Sequence, residues 1–357
     1  MTCLTAPAVL AALVLQNTAM VLVTKHSFRD SAPQYNVAVV VLLSELLKIC
    51  TCWVVICCNQ GLKEVFRVTT DVTSNWKLAL PAALYVIQNN AHFVAIQNLD
   101  TPVYVVCAQS KVLTTAFFAV RLLGKVLSTQ QCVALLFLVV GMIIMQLGPD
   151  VTGDKNVALG SGSSVTGLLA VSISSLISGF AGVFLEKIYK DRASSLWVRN
   201  LQLSVLSVPF ALFACLQTLA KDPGATYLGG IDAVVAVVIC LKALGGLIVA
   251  LVMRYADSIL KNFSVAMSIC CCVLYSVVIG AQRLHMYAIL GVSFVCLSTF
   301  IYSGPGVEKL STKVLMLTSS GFLVCLVLFD GRANSGVFGR ISNAIVARRE
   351  QHEHGDK

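Results

Sequence analysis

LIVALVMRYADSILKNFSVAMSIC, residues 247–270, is apolar over most of its length, yet Lys261 stands inside it. VYVVCAQSKVLTTAFFAV, residues 103–120, repeats the arrangement with Lys111. Each stretch matches the roughly 20 apolar residues that a membrane-crossing helix needs. A lysine inside such a helix costs roughly 2.5–3.5 kcal/mol on insertion unless it faces a wet cavity or a partner. An anionic substrate is the simplest group that offsets this penalty.

The rest of the chain shares the character of these two stretches. Of its 357 residues, 57% are hydrophobic and only 12% charged, and the mean hydropathy is +0.84. A soluble domain carries about 25% charged residues. The fold class that follows is all-α, a polytopic membrane protein. Spans are expected near 3–24, 33–58, 76–97, 102–122, 130–148, 164–187, 196–219, 232–253, 258–280 and 286–303. A shorter apolar run, 314–329, either adds a C-terminal helix or lies re-entrant or interfacial. The first span is expected to be retained, because no Lys or Arg precedes it and its apolar run exceeds a signal-peptide core.

Basic residues in short loops set orientation. With a cytosolic N-terminus, the cytosolic side holds Lys63, Arg67, Arg121, Lys125, Lys187, Lys190, Arg192, Arg254, Lys309 and Lys313. The opposite side holds Lys25, Arg29, Lys155, Lys221 and Arg283. The bias favours that orientation and accounts for most of the net charge of +9, so no nucleic-acid partner is needed. The 14 cysteines fall mostly inside apolar runs, where they act as small apolar residues. No Cys/His spacing suggests a metal site, and no cofactor is expected.

Ten spans divide into two sets of five around the Gly/Ser/Asp-rich stretch GPDVTGDKNVALGSGSS at 148–164. The expected organisation is a first five-helix repeat at 1–148, a loop at 149–163 and a second repeat at 164–303. A tail at 304–357 carries the run 314–329. An odd number of helices per repeat inverts the second against the first, which places a substrate site where the repeats meet. Lys111 and Lys261 are 150 residues apart, and so are Gly141 and Gly291.

LYVIQNNAHFVAIQNLD (84–100) holds Tyr85, Gln88, Asn89, Asn90 and His92 within about two turns. Tyr85, Gln88 and Asn89 share a face by their i, i+3 and i+4 spacing. Asn89 and Asn90 serve either as hydrogen-bonding glue between helices or as groups of a site. Tyr104 and Gln109 lie close to Lys111 in the next span. Arg254 and Lys261 are seven apart, two turns on one face, and Asp257, at i+3 from the first and i+4 before the second, can pair with either cation. They form either a neutralised ion cluster or, as the excess of cation favours, a diphosphate seat oriented by Asp257. Glu45 and Lys48 are spaced to pair, in a structural or a gating role, and Gly245 and Gly246 suit close helix packing.

GGLIVALVMRYADSILKNFS (245–264) resembles a signature of the nucleotide-sugar transporter family, in its UDP-galactose, UDP-N-acetylglucosamine and CMP-sialic acid branch. SGFAGVFLEKIYK (178–190), SLWVRNLQL (195–203) and the run from Tyr85 to Ser128 resemble further motifs of that branch. The likeness covers roughly residues 35 to 303. It implies a ten-helix antiporter of the drug/metabolite transporter superfamily that brings a nucleotide sugar into the Golgi or endoplasmic reticulum and returns a nucleoside monophosphate. Position by position, it makes Lys111 and Lys261 the phosphate lysines, and Tyr85, Gln88, Asn89 and Tyr104 the nucleotide contacts. UDP-galactose and UDP-N-acetylglucosamine lead as substrates. The alternatives are CMP-sialic acid transport and a non-transporting regulatory or scaffold paralogue.

The chain departs from its relatives at Val105, Ala108, Arg254, Ser258 and Asn262. It also departs in GGIDAVVAVVICLKAL (229–244), which lacks their Tyr and Trp and adds Lys242. The expected partners are nucleotide sugar, nucleoside monophosphate and the lipid bilayer. Homo-oligomerisation is left open by the sequence.

Overall fold

The computed structural model describes residues 2–27, 35–70, 77–99, 101–146, 164–191, 195–221, 231–278 and 286–302. The inter-repeat loop and the run 314–329 lie outside the described residues. The described chain is helical and has no strand: α1 (Thr2–Ser27), α2 (Val37–Gln60), α3 (Leu62–Thr70), α4 (Ala79–Asn98), α5 (Thr101–Ala108), α6 (Ser110–Leu123), α7 (Thr129–Gln146), α8 (Ser164–Lys190), α9 (Leu196–Lys221), α10 (Ala233–Tyr255), α11 (Ser258–Val278) and α12 (Met286–Tyr302). Helix satisfies every backbone group within its own segment, which a lipid environment demands.

Caps mark the helix ends. The Asn36 side chain accepts the Ala38 N–H at 2.9 Å to start α2, and Asp232 accepts the Val235 N–H at 2.8 Å to start α10. At α7, Ser128 and Gln131 cap each other reciprocally, with bonds of 3.2 and 3.0 Å. Gly124, at φ 66°, turns the chain out of α6 through the left-handed region.

Among the described residues, eight apolar segments are long enough to cross a membrane, one of them spanning α5 and α6. α4 has the length but carries the polar belt from Gln88 to Gln97, and α12 has 17 residues. The fourth expected span is not one rod. It breaks at Gln109, where the Gln109 N–H bonds the Val106 carbonyl and the Val112 N–H bonds the Gln109 carbonyl. These are three-residue steps, tighter than α-helix, and they put Lys111 in the first turn of α6.

The packing has a regular exchange pattern. α1 packs on α10 as α4 packs on α8, and α1 packs on α11 as α6 packs on α8. α2 packs on α10 as α9 packs on α4, while α2 pairs with α9 and α7 with α12. At the α7–α12 crossing a Cβ on Gly141 would stand 2.9 Å from the Gly291 carbonyl oxygen. A Cβ on Gly291 would stand 2.8 Å from that of Gly141. Only glycine permits that approach.

Alternate connections gather at opposite ends of the bundle. At one end, Lys125 after α6 reaches Glu186 near the end of α8 and Asp257 before α11. Arg199 at the start of α9 reaches Asp191 just past α8, at 3.0 Å. At the other end, Tyr35 and Val40 pack with Val235 and Val238, and Leu99 lies against Gly167.

α3 corrects the loop expected around Lys63 and Arg67. Its Val65 and Val68 are buried against Ile56 and Leu201, and its Leu62 and Phe66 stay 49% and 58% exposed. The largest core cluster joins α1, α6, α7, α11 and α12 through Leu10, Leu13, Ala119, Leu138, Phe263 and Val295.

Candidate functional site

α4 carries the polar belt, and both halves of the candidate site meet on it. Between α2, α4 and α9 lies a cavity of about 340 Å³. Tyr85 and Asn90 line it from α4, Glu45 and Val41 from α2, and Phe210, Ala214 and Gln217 from α9. Gln88 belongs to the same helix, with its Oε1 buried and lacking a hydrogen-bond partner among the described residues. Asn89 sits within α4, and nothing is described of its side chain.

Further along α4, His92 stacks edge-on against Tyr104 of α5, with centroids 5.1 Å apart, and the Tyr104 hydroxyl bonds the imidazole. Lys111 is close enough for its charge to be felt at His92 and at Lys261. Lys111 and Lys261 both stand against α8. Thr114, one turn from Lys111, donates to the Ser175 carbonyl at 2.7 Å. The Lys261 ammonium lies 3.6 Å from where a Cβ on Gly182 would stand. No carboxylate lies within 4 Å of either lysine among the described residues. Gln109 is buried at the break before Lys111, and its Oε1 has no hydrogen-bond partner among the described residues.

The face imagined for Arg254, Asp257 and Lys261 does not form. α10 ends at Tyr255, and Ala256 takes φ −122° and ψ −130°. Asp257 then serves as the cap of α11, accepting the Leu260 N–H at 2.7 Å, and its other oxygen meets Lys125 at 3.1 Å. Arg254 lies in the last turn of α10. Helical spacing failed here because it holds only while the helix continues.

Sequence reasoning missed the largest ionic cluster among the described residues. Glu186 is fully buried and takes Lys125 at 2.9 Å, Lys190 at 2.6 Å and the Ser258 N–H at 2.8 Å. The Ser258 hydroxyl donates to the Gly182 carbonyl at 3.0 Å. Two lysines and two carboxylates, Glu186 and Asp257, thus tie α6, α8 and α11 together at one end. The i, i+4 spacing of Glu186 and Lys190 was the only local signal.

Glu45 and Lys48 pair at 2.7 Å. Gly245 and Gly246 admit polar side chains rather than a bare helix. A Cβ on Gly246 would stand 2.8 Å from Lys48 Cδ, and one on Gly245 would meet the Gln16 carboxamide, with Cδ at 2.9 Å. Gln16 in turn donates to the Leu241 carbonyl at 2.9 Å.

This arrangement can hold a polyanion: two cations without carboxylate partners among the described residues stand beside a belt of amide and phenol groups, in a bundle that is ionically tied at one end. The family described as nucleotide-sugar transporter matches residues 5–303. A UDP-N-acetylglucosamine/UDP-N-acetylgalactosamine transporter of Caenorhabditis elegans is 37% identical over 313 residues, covering 82% of this chain and 91% of that protein. A UDP-galactose transporter of Schizosaccharomyces pombe is 38% identical, covering 83% and 87%. A human UDP-N-acetylglucosamine transporter is 35% identical, covering 82% and 93%. A crystal structure only 13% identical superposes with a TM-score of 0.62 over 84% of this chain and 97% of its own, which shows the fold alone. These matches are to transporters rather than enzymes, and the chain belongs to the nucleotide-sugar transporter family.

Proposed function

We propose that the chain is an antiporter that exchanges a cytosolic UDP-sugar for lumenal UMP across the Golgi or endoplasmic-reticulum membrane. The observation that carries this reading is the pair of lysines, Lys111 and Lys261, set on different helices against α8 with no carboxylate within 4 Å among the described residues. Two such cations match the two negative charges of a nucleotide diphosphate, and charge-assisted bonds to phosphate are the strong ones. Tyr85, Gln88, Asn89 and Asn90 on α4, with Tyr104, meet the nucleoside. Relatives named for UDP-galactose and UDP-N-acetylglucosamine support the uridine choice.

The exchange pattern of helix contacts supports two inverted five-helix repeats at 1–148 and 164–303. Rocking of one against the other would expose the site alternately. With the N-terminus cytosolic, the cluster of Lys125, Glu186, Lys190 and Asp257 closes the cytosolic end, so this conformation faces the lumen. Proteoliposomes preloaded with UMP, CMP or GMP and offered a panel of nucleotide sugars test the reading. Exchange of UDP-sugars driven by UMP supports it, and strong exchange only with CMP or GMP overturns the uridine assignment.

A further inference from the structure

The lysine pair accounts for a diphosphate, but the described interior holds further cations. Glu45, on the cavity wall, pairs with Lys48 at 2.7 Å. The Lys48 stem crosses onto α10, where it occupies the space over Gly246. Lys242 stands one turn before Gly246 on that helix, so it shares the face that Lys48 covers. It is partly buried, and it feels the charges of both Glu45 and Lys48. No carboxylate lies within 4 Å of it among the described residues. The three residues therefore carry one net positive charge, and Glu45 is the member of the group that lines a cavity of small-molecule size.

We propose that Lys242, together with Lys48 and Glu45, forms a second anion site that takes the carboxylate of a nucleotide-linked uronic acid. The inference rests on the transport reading above and extends it. The uracil ring is uncharged at neutral pH, and the diphosphate belongs to Lys111 and Lys261. Any further negative charge on the substrate must then lie on its sugar. Glu45 faces α4 across the cavity. A nucleotide sugar folded about its diphosphate thus sets its sugar against α2, whose Lys48 leads on to α10, while the nucleoside stays on α4. Glu45 orients Lys48 and leaves Lys242 the donor to the incoming carboxylate. A charge that would otherwise destabilise the span is offset when that substrate is bound.

The test uses the full-length chain in proteoliposomes preloaded with UMP. It compares UDP-glucuronate with UDP-glucose, which differ by a carboxylate in place of a hydroxymethyl group. Wild type is expected to take up UDP-glucuronate. Lys242→Gln is expected to cut that uptake about tenfold or more while UDP-glucose uptake stays within about twofold. Lys242→Arg, which keeps the charge, is expected to retain it. Thermal protection of the detergent-purified protein by UDP-glucuronate should vanish in Lys242→Gln and persist in Lys242→Arg. A wild type that exchanges UDP-glucose but not UDP-glucuronate overturns this proposal and leaves the transport reading standing. So does an equal loss of both substrates in Lys242→Gln. Exchange of no nucleotide sugar at all overturns both.

Discussion

The Lys125 ammonium lies 2.9 Å from the carboxylate of the fully buried Glu186, and this contact joins the end of α6 to the end of α8. Glu186 also holds Lys190 and the first backbone N–H of α11. Three segments far apart in sequence are tied at one carboxylate.

Glu186→Gln should therefore destabilise the bundle. Removing one partner of a buried ion pair costs about 3–5 kcal/mol, and the loss here falls at or below the lower end, because Lys125 keeps Asp257 and Lys190 is partly exposed. Thermal unfolding in detergent, followed by intrinsic fluorescence, should show a midpoint several degrees lower. An unchanged midpoint would mean that the two lysines find other partners.

Lys111→Ala and Lys261→Ala are expected to behave in the opposite way. Each should lose exchange and keep its fold, since deleting an intramembrane charge removes a desolvation penalty. Losing one charge-assisted bond of about 1.5–3 kcal/mol lowers affinity about ten- to a hundredfold. Asp257→Asn should not rescue Lys261→Ala, because Asp257 engages Lys125 and the start of α11. Rescue in the double mutant would show that Lys261 serves the ion cluster and not the phosphate.

Two glycines separate packing from function. Gly141→Ala drives a methyl to within 2.9 Å of the Gly291 carbonyl oxygen and of Phe294 Cβ. Overpacking of this kind costs about 1–3 kcal/mol, read as a lower unfolding midpoint. Gly182→Ala meets nothing nearer than the Lys261 ammonium, at 3.6 Å. It should fold normally and weaken substrate, with KM rising and the unfolding midpoint unmoved.

Topology can be read from two exposed positions in a cysteine-free background. Val126, 93% exposed, follows α6, and Ala233 opens α10 at the opposite end. Val126→Cys should react with an impermeant thiol reagent from the cytosolic side and Ala233→Cys only from the lumenal side. The reverse pattern would invert the chain in the membrane. A cysteine at Ser342 in the tail, labelled the same way, is expected on the cytosolic side. Lumenal labelling there would make 314–329 a further span.

The long helices were legible because lipid leaves a backbone so few choices that apolar length alone marks them. Lys111 and Lys261 stood out for the complementary reason, since charge inside such a run is rare. What was illegible depends on distance and on helix ends. Lys125, Glu186 and Asp257 lie in three different connections or helix ends, and nothing in their spacing brings them together. Asp257 was assigned to its neighbours by a period that stops at Tyr255. The signal that could have corrected this was its place just before the helix SILKNF, where an aspartate is a strong cap. α3 was overlooked because nine residues cannot span a membrane, although Leu62, Val65, Phe66 and Val68 already show helical spacing.

That short helix has a consequence for the cavity. α3 follows α2 across Gly61 alone, docks on α2 and α9 through Val65 and Val68, and turns Leu62 and Phe66 outward beside Lys63 and Arg67. A segment with apolar side chains beside basic ones floats at the level where acyl chains give way to headgroups. Its height then answers to the bilayer as well as to the bundle. Thinning or thickening of the lipid moves the float, and a change of tilt is how helices commonly absorb such mismatch. α2 bears Glu45 on the cavity wall, and α9 lines the facing side. For a bundle that spans a bilayer, membrane thickness thereby becomes an input to the shape of the site.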